Sequence, residues 1–133
     1  MNILGAALSG LAAAEARLNV SASNVVNAQS TGALPQPAGA SSAPRPYRPI
    51  ALIQFGLADG SVVTETRASP DGVTTIYDPE APFADANGLV AAPDVDLAAE
   101  AVNQIQALQQ FTANLRIIET EDQMLKASLS LKA

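Results

Sequence analysis

The chain contains no cysteine, no histidine and no tryptophan in 133 residues. Without cysteine there is no disulfide and no thiolate nucleophile. Without histidine there is no imidazole base poised near neutral pH, and the two absences together remove almost every zinc site. Positive charge is also scarce, with 7 Lys/Arg against 13 Asp/Glu and a formal charge of −6. No basic run is available to meet phosphates, so no nucleic acid partner is expected. The carboxylates do not alternate around a central glycine as a calcium loop requires, and no cofactor or metal is expected. The Ala/Leu-rich start has no basic leader and is interrupted by Glu15 and Arg17. Neither a cleavable signal peptide nor membrane insertion is expected.

What the chain does have is an apolar stripe at each end. The first runs through Leu4, Leu8, Leu11, Leu18, Ala22 and Val25, with Glu15 on the same seam. The second runs through Ala101, Ile105, Leu108, Phe111, Leu115, Ile118, Leu125 and Leu129, interrupted by Asp122. Steps of three and four predict helices with coiled-coil spacing over 1–28 and 95–133. They would be about 40 Å and 55 Å long at ~1.5 Å per residue. Asp94 or Asp96, after Pro93, would start the second helix by accepting free N–H groups of its first turn. The two carboxylates on the seams either reach solvent at the edge or meet a cation of a neighbouring chain.

The middle has another character. Residues 29–46 hold four of the 9 prolines and read as a Pro/Ala/Ser/Gly-rich loop that is mobile or ordered by a partner. Residues 47–77 read as a small β region, a meander of Tyr47–Phe55, Ser61–Arg67 and Val73–Tyr77 around turns at Asp59-Gly60 and Pro70-Asp71-Gly72. Residues 78–94 read as an extended segment. The expected fold is therefore mainly α with a small β part. Its N- and C-terminal helices pair as an antiparallel coiled coil, with a short β-meander or hairpin and an extended segment between them. Two helices alone are marginal, so neighbouring subunits are expected to supply the missing burial.

Specific residues then resemble the bacterial flagellar axial rod and hook protein family. Near the start these are Ser9-Gly10-Leu11, Arg17-Leu18-Asn19-Val20 and Ala22-Ser23-Asn24-Val25-Val26-Asn27-Ala28. Later come Tyr77-Asp78-Pro79, Pro82, Ala84-Asp85, Gly88, Val90, Pro93 and Val95, with Glu100, Asn114 and Gln123-Met124 in the last helix. The first set is similar to rod and hook proteins generally, the Tyr77–Val95 segment to the proximal rod type. Ala81 stands where that family usually has histidine, Leu89 where it has an aromatic residue, and Glu121-Asp122 where it has a small residue and a lysine.

The resemblance implies a structural subunit, not an enzyme. It would assemble helically with copies of itself and other flagellar rod proteins into a hollow drive shaft that transmits torque and passes exported subunits. It would lie near the MS ring and export gate, in the periplasmic basal-body rod, after passage through the flagellar type III export apparatus. The terminal stripes would be the assembly seam. Other readings are a distal rod or hook protein, whose middle domain is usually larger, and a secreted coiled-coil effector or export chaperone. Asn19, Asn24 and Asn27 either bond locally near the helix end or bridge to neighbouring helices. Tyr77 reads as a turn anchor. Paired carboxylates such as Asp94/Asp96 and Glu119/Asp122 read as helix-start and solvated-face charges.

Overall fold

The computed structural model describes residues 2–35 and 43–131. Six elements follow in chain order: α1 (Ile3–Asn27), β1 (Ile50–Gly56), β2 (Val62–Ala68), β3 (Val73–Tyr77), β4 (Leu89–Pro93) and α2 (Leu97–Ser130). The mainly helical composition with a small β part is as expected. The arrangement of the strands is not.

Both helices are capped by short polar side chains. Asn2 Oδ1 accepts from the Gly5 N–H at 3.1 Å. Asp96 Oδ1 accepts from the N–H groups of Ala98 and Ala99 at 2.9 and 3.1 Å, so Asp96 starts α2. Asp94 instead donates its backbone N–H to the Gly72 carbonyl at 3.0 Å. These carboxylate and amide acceptors satisfy donors that a helix leaves open at its start.

The helices lie antiparallel. Gly10 faces Asn114, Arg17 reaches Gln106, and Ser21 and Asn24 meet Glu100. Their contact is made of small residues: Ala7, Ala14 and Ala107 are buried along these faces with Gly10. The heptad stripe of large side chains is not this contact. Leu4, Leu8, Leu18 and Val25 are exposed on α1, and Ile105, Leu108, Phe111, Leu115, Leu125 and Leu129 on α2; Leu11 and Ile118 are half-buried. The reason is steric. A helix face of Gly and Ala permits a closer approach than one of leucines, and a β-hairpin occupies the flank of α1. By length and composition α1 could also cross a membrane, a test that helices packed inside a fold pass as well.

The expected three-stranded meander does not form. β1 and β2 make one antiparallel hairpin, with Ile50 opposite Ala68 and Gly56 opposite Val62. β3 pairs with β4 in a second sheet, with Val73 opposite Pro93 and Tyr77 opposite Leu89. β4 lies in the segment read as merely extended. Val90, Ala91, Ala92 and Pro93 are all buried, so this strand lacks the apolar–polar alternation of a half-exposed one. Its other edge is also occupied: Gly32 and Ala91 exchange two backbone hydrogen bonds at 2.9 Å. A Cβ on Gly32 would come within 2.4 Å of the Pro46 nitrogen, which explains glycine there. The Pro/Ala/Ser/Gly-rich loop is thus ordered at both its ends, Ala33 N–H also donating to the Pro44 carbonyl at 2.9 Å. The reading of its centre falls on residues 36–42, which lie outside the described residues.

Candidate functional site

Among the described residues the elements bring no nucleophile and base together. What the residues build is a polar node at one end of the helix pair, a structured loop, and two exposed apolar stripes.

Asn24 is the centre of the node and only 2% exposed. Its amide pairs with the backbone of Ile50 in both senses: Nδ2 donates to the carbonyl and Oδ1 accepts from the N–H, each at 2.9 Å. Oδ1 also accepts from the Tyr47 hydroxyl at 3.0 Å, and Nδ2 donates to Glu100 Oε1 at 2.6 Å. One side chain therefore joins α1, the start of β1 and the start of α2. Ser21 Oγ donates to the Glu100 carbonyl at 3.0 Å, and Ser23 Oγ bonds Tyr47 Oη at 3.1 Å. A buried amide must have its donors and acceptors met, and here they are met inside the chain. Of the alternatives open for the three asparagines, Asn24 bridges to a neighbouring helix through Glu100, but that helix is α2 of the same chain, and its other partners are Tyr47 and Ile50. Asn27 bonds locally, to the Ser23 carbonyl at 2.8 Å. Asn19 is exposed.

Further along α1, Ser9 Oγ donates to the Ala6 carbonyl and accepts from the Val62 N–H at 3.0 Å, tying β2 to the helix. Arg17 bridges the other two elements, donating to Gln54 Oε1 at 3.1 Å and to Gln106 Oε1 at 3.3 Å. Its Nε is buried without an acceptor, as is Gln54 Nε2. Arg17 also lines a cavity of about 230 Å³ between α1, β1 and α2, with Ser21, Leu52, Glu100 and Asn103.

The motif residues after Tyr77 organise the loop between β3 and β4. Asp78 N–H donates to the Gly88 carbonyl at 2.9 Å. Asp85 Oδ1 accepts from the N–H groups of Asn87 and Leu89, both at 2.8 Å. The Leu89 hydrogen bond is the main reason its carboxyl is held below the ordinary carboxylate value, helped by Asn87 and opposed by slight desolvation. Gly88 has φ +75 and sits under the Tyr77 ring and Pro79, which leave no space for a Cβ. Tyr77 itself is 71% exposed, so it covers the turn and presents its outer face to solvent. Pro93 is buried at the end of β4. Sequence reasoning missed Tyr47, Gln54 and Ile50 as partners. It also missed Asn87-Gly88, a hairpin signal standing directly before an apolar run.

Of the expected seam residues, all but the half-buried Leu11 and Ile118 are exposed along the two helices. Leu8 is 52% exposed and Leu108 66%. Glu15 stands in the α1 stripe, exposed and in no ion pair among the described residues. Asp122 does not wait for a foreign cation, because Lys126 one turn on bonds it at 2.6 Å. Exposed apolar stripes of this kind are a candidate interaction surface.

A model of the family described as flagellar basal body rod FlgEFG protein, C-terminal, matches residues 86–131. Over almost its whole length the chain is similar to the flagellar basal-body rod protein FlgC of Salmonella typhimurium, with 38% identity over 138 residues, 98% of this chain and 96% of that protein. The FlgC proteins of Escherichia coli O6:H1 and Yersinia enterocolitica are 38% and 36% identical, each with the same shares covered.

Proposed function

The chain belongs to the FlgC family of flagellar basal-body rod proteins and is a structural subunit of that rod, not an enzyme; on that premise we propose that its exposed helical stripes are the seams by which it joins the rod. The observation that carries this reading is the placement of Leu4, Leu8, Leu18 and Val25 on α1 and of Ile105, Leu108, Leu115, Leu125 and Leu129 on α2, outside the contact between the helices and open to solvent. Burying a large apolar side chain yields about 1.5–3 kcal/mol, so stripes of this length favour association strongly. Contacts between unlike faces that do not close into a ring generate a helical array, which suits a hollow shaft.

In this reading the subunit takes a proximal position in the rod, near the MS ring and export gate. The helix pair forms the inner layer of the tube, and the two β-hairpins lie outside it. The subunit reaches the periplasm through the flagellar type III export apparatus. α1 is a packed helix of the subunit and does not span a membrane, because spanning would break its bonds to Gln54, Ile50 and Glu100.

The test uses Leu8→Asp and Leu108→Asp. Both positions are exposed, so the isolated protein keeps its helix content and melting temperature. In cells that rely on the variant, motility is lost and no rod is completed, since a charge in a dry seam costs several kcal/mol. Normal swimming by both variants would remove the stripes from assembly.

A further inference from the structure

We propose that Asn87 is a site of spontaneous deamidation that the folded β3–β4 loop holds shut, with Asp85 as its guard.

An asparagine loses its amide when the backbone nitrogen of the next residue attacks the side-chain carbon. Attack is fastest where that residue is glycine, because no Cβ crowds the nitrogen and the backbone turns freely. Asn87 is the one asparagine of this chain that precedes glycine; Asn2, Asn19, Asn24, Asn27, Asn103 and Asn114 precede Ile, Val, Val, Ala, Gln and Leu. Asn87 is also exposed, so water reaches it.

The Gly88 nitrogen gives its proton to water or hydroxide and bonds Asn87 Cγ. The Cγ–Nδ2 bond breaks, and Nδ2 leaves as ammonia with a proton taken from solvent. Water then opens the five-membered imide at either carbonyl, giving aspartate or isoaspartate.

In the fold, Asp85 holds both groups that the reaction strips away. Gly88 N–H donates to the Asp85 carbonyl at 3.0 Å. The imide nitrogen carries no hydrogen, so this bond is surrendered before the ring closes. Asn87 Nδ2, the atom that leaves, reaches toward Asp85 Oδ2 at 3.4 Å, and the Asn87 N–H donates to Oδ1 at 2.8 Å. Gly88 is fixed from its other side as well. Its carbonyl accepts from the Asp78 N–H at 2.9 Å, its φ is +75, and the Tyr77 ring and Pro79 close over it. Swinging the Gly88 nitrogen onto Cγ therefore requires the loop to open. Asp85 is a poor base for the Gly88 proton, since the Leu89 N–H holds its carboxyl below the ordinary value.

Conversion runs one way. An acid at position 87 sets a second carboxylate where Asp85 Oδ2 faced an amide, and like charges oppose. Isoaspartate also lengthens the backbone inside a tight turn. A chain that stays unfolded is marked at this loop, and a folded one is spared.

The experiment keeps the full-length protein in mildly alkaline buffer, folded or unfolded in urea, and follows the Asn87 peptide by mass spectrometry and isoaspartate detection. Unfolded, that peptide converts while those of the other asparagines do not. Folded, it converts at least about tenfold more slowly, because opening breaks several hydrogen bonds that each count for a factor of a few. Asp85→Ala speeds conversion of the folded protein severalfold with the melting temperature kept. Asp85→Asn, which keeps an oxygen for the backbone donors but loses the one facing Nδ2, falls between. Equal rates in the folded and unfolded chain, or Asp85→Ala at the folded wild-type rate, overturns the guard role. An Asn87 peptide as inert in urea as the others overturns the site itself.

Discussion

Gly10 sits where the amide of Asn114 leaves no room for a side chain: a Cβ would come within 2.5 Å of its Oδ1. The motif Ser9-Gly10-Leu11 is therefore a packing device, its glycine admitting α2 and its serine holding β2. Gly10→Val should lower stability by ~1–3 kcal/mol through overpacking. In an Asn114→Ala background, where the opposing amide is gone, the same change should cost clearly less. Thermal unfolding of the four proteins in this cycle measures the difference, and equal costs in both backgrounds would refute the contact. Asp85 gives a prediction in pH. Its folded pKa is depressed from the ordinary 3.8, chiefly by the Leu89 N–H, so its support for the loop is present above the ordinary value and lost as pH falls through the lowered one. Acidification should therefore release the amides of Asn87 and Leu89 first. Asp85→Asn should keep the turn without the acid step, since an amide oxygen accepts without titrating; NMR amide exchange against pH distinguishes the two. The identities of Gly10, Asn24, Asp85 and Gly88 stood out in the sequence, but their partners did not. Ile50 is 26 residues from Asn24 and Glu100 is 76 away, and nothing in local spacing encodes such pairings.

At the level of elements, the two long helices and a cap at Asp94 or Asp96 were legible because periodicity and capping are local properties; the structure takes Asp96. The partner face of each helix was not. Large apolar residues dominate a stripe visually, whereas the real contact uses Ala7, Gly10, Ala14 and Ala107, which carry little hydrophobic signal. β4 was illegible as a strand for a related reason: buried on both faces, Leu89–Pro93 shows no period of two. The helices also differ in length, 25 residues against 34. With Gly10 opposite Asn114 and Asn24 opposite Glu100, Ile3 falls opposite the region of Glu121. The last nine or so residues of α2, about 14 Å at ~1.5 Å per residue, run on alone and are exposed throughout. Hydrogen exchange in dilute solution should be fast over 122–130 and over the first turns of α1, and slow over residues 17–27, which the polar node holds. Uniformly slow exchange to Ser130 would show that the free turns are stabilised by something other than assembly.

For the molecule as a whole, the antiparallel arrangement puts Ile3 and Ser130 at one end of the helix pair and the Asn24 node at the other. This makes resistance to force depend on direction. Drawing the two chain termini apart strains the contacts in series, opening Ala7, then Gly10, then Ala14, each row of small side chains failing before the next is stressed. Sliding one helix along the other strains every row and the node at the same moment, in parallel. The subunit is thus weak in peel and strong in shear. Traction on its terminus can strip it open row by row, while a load along its axis meets the summed strength of the whole contact.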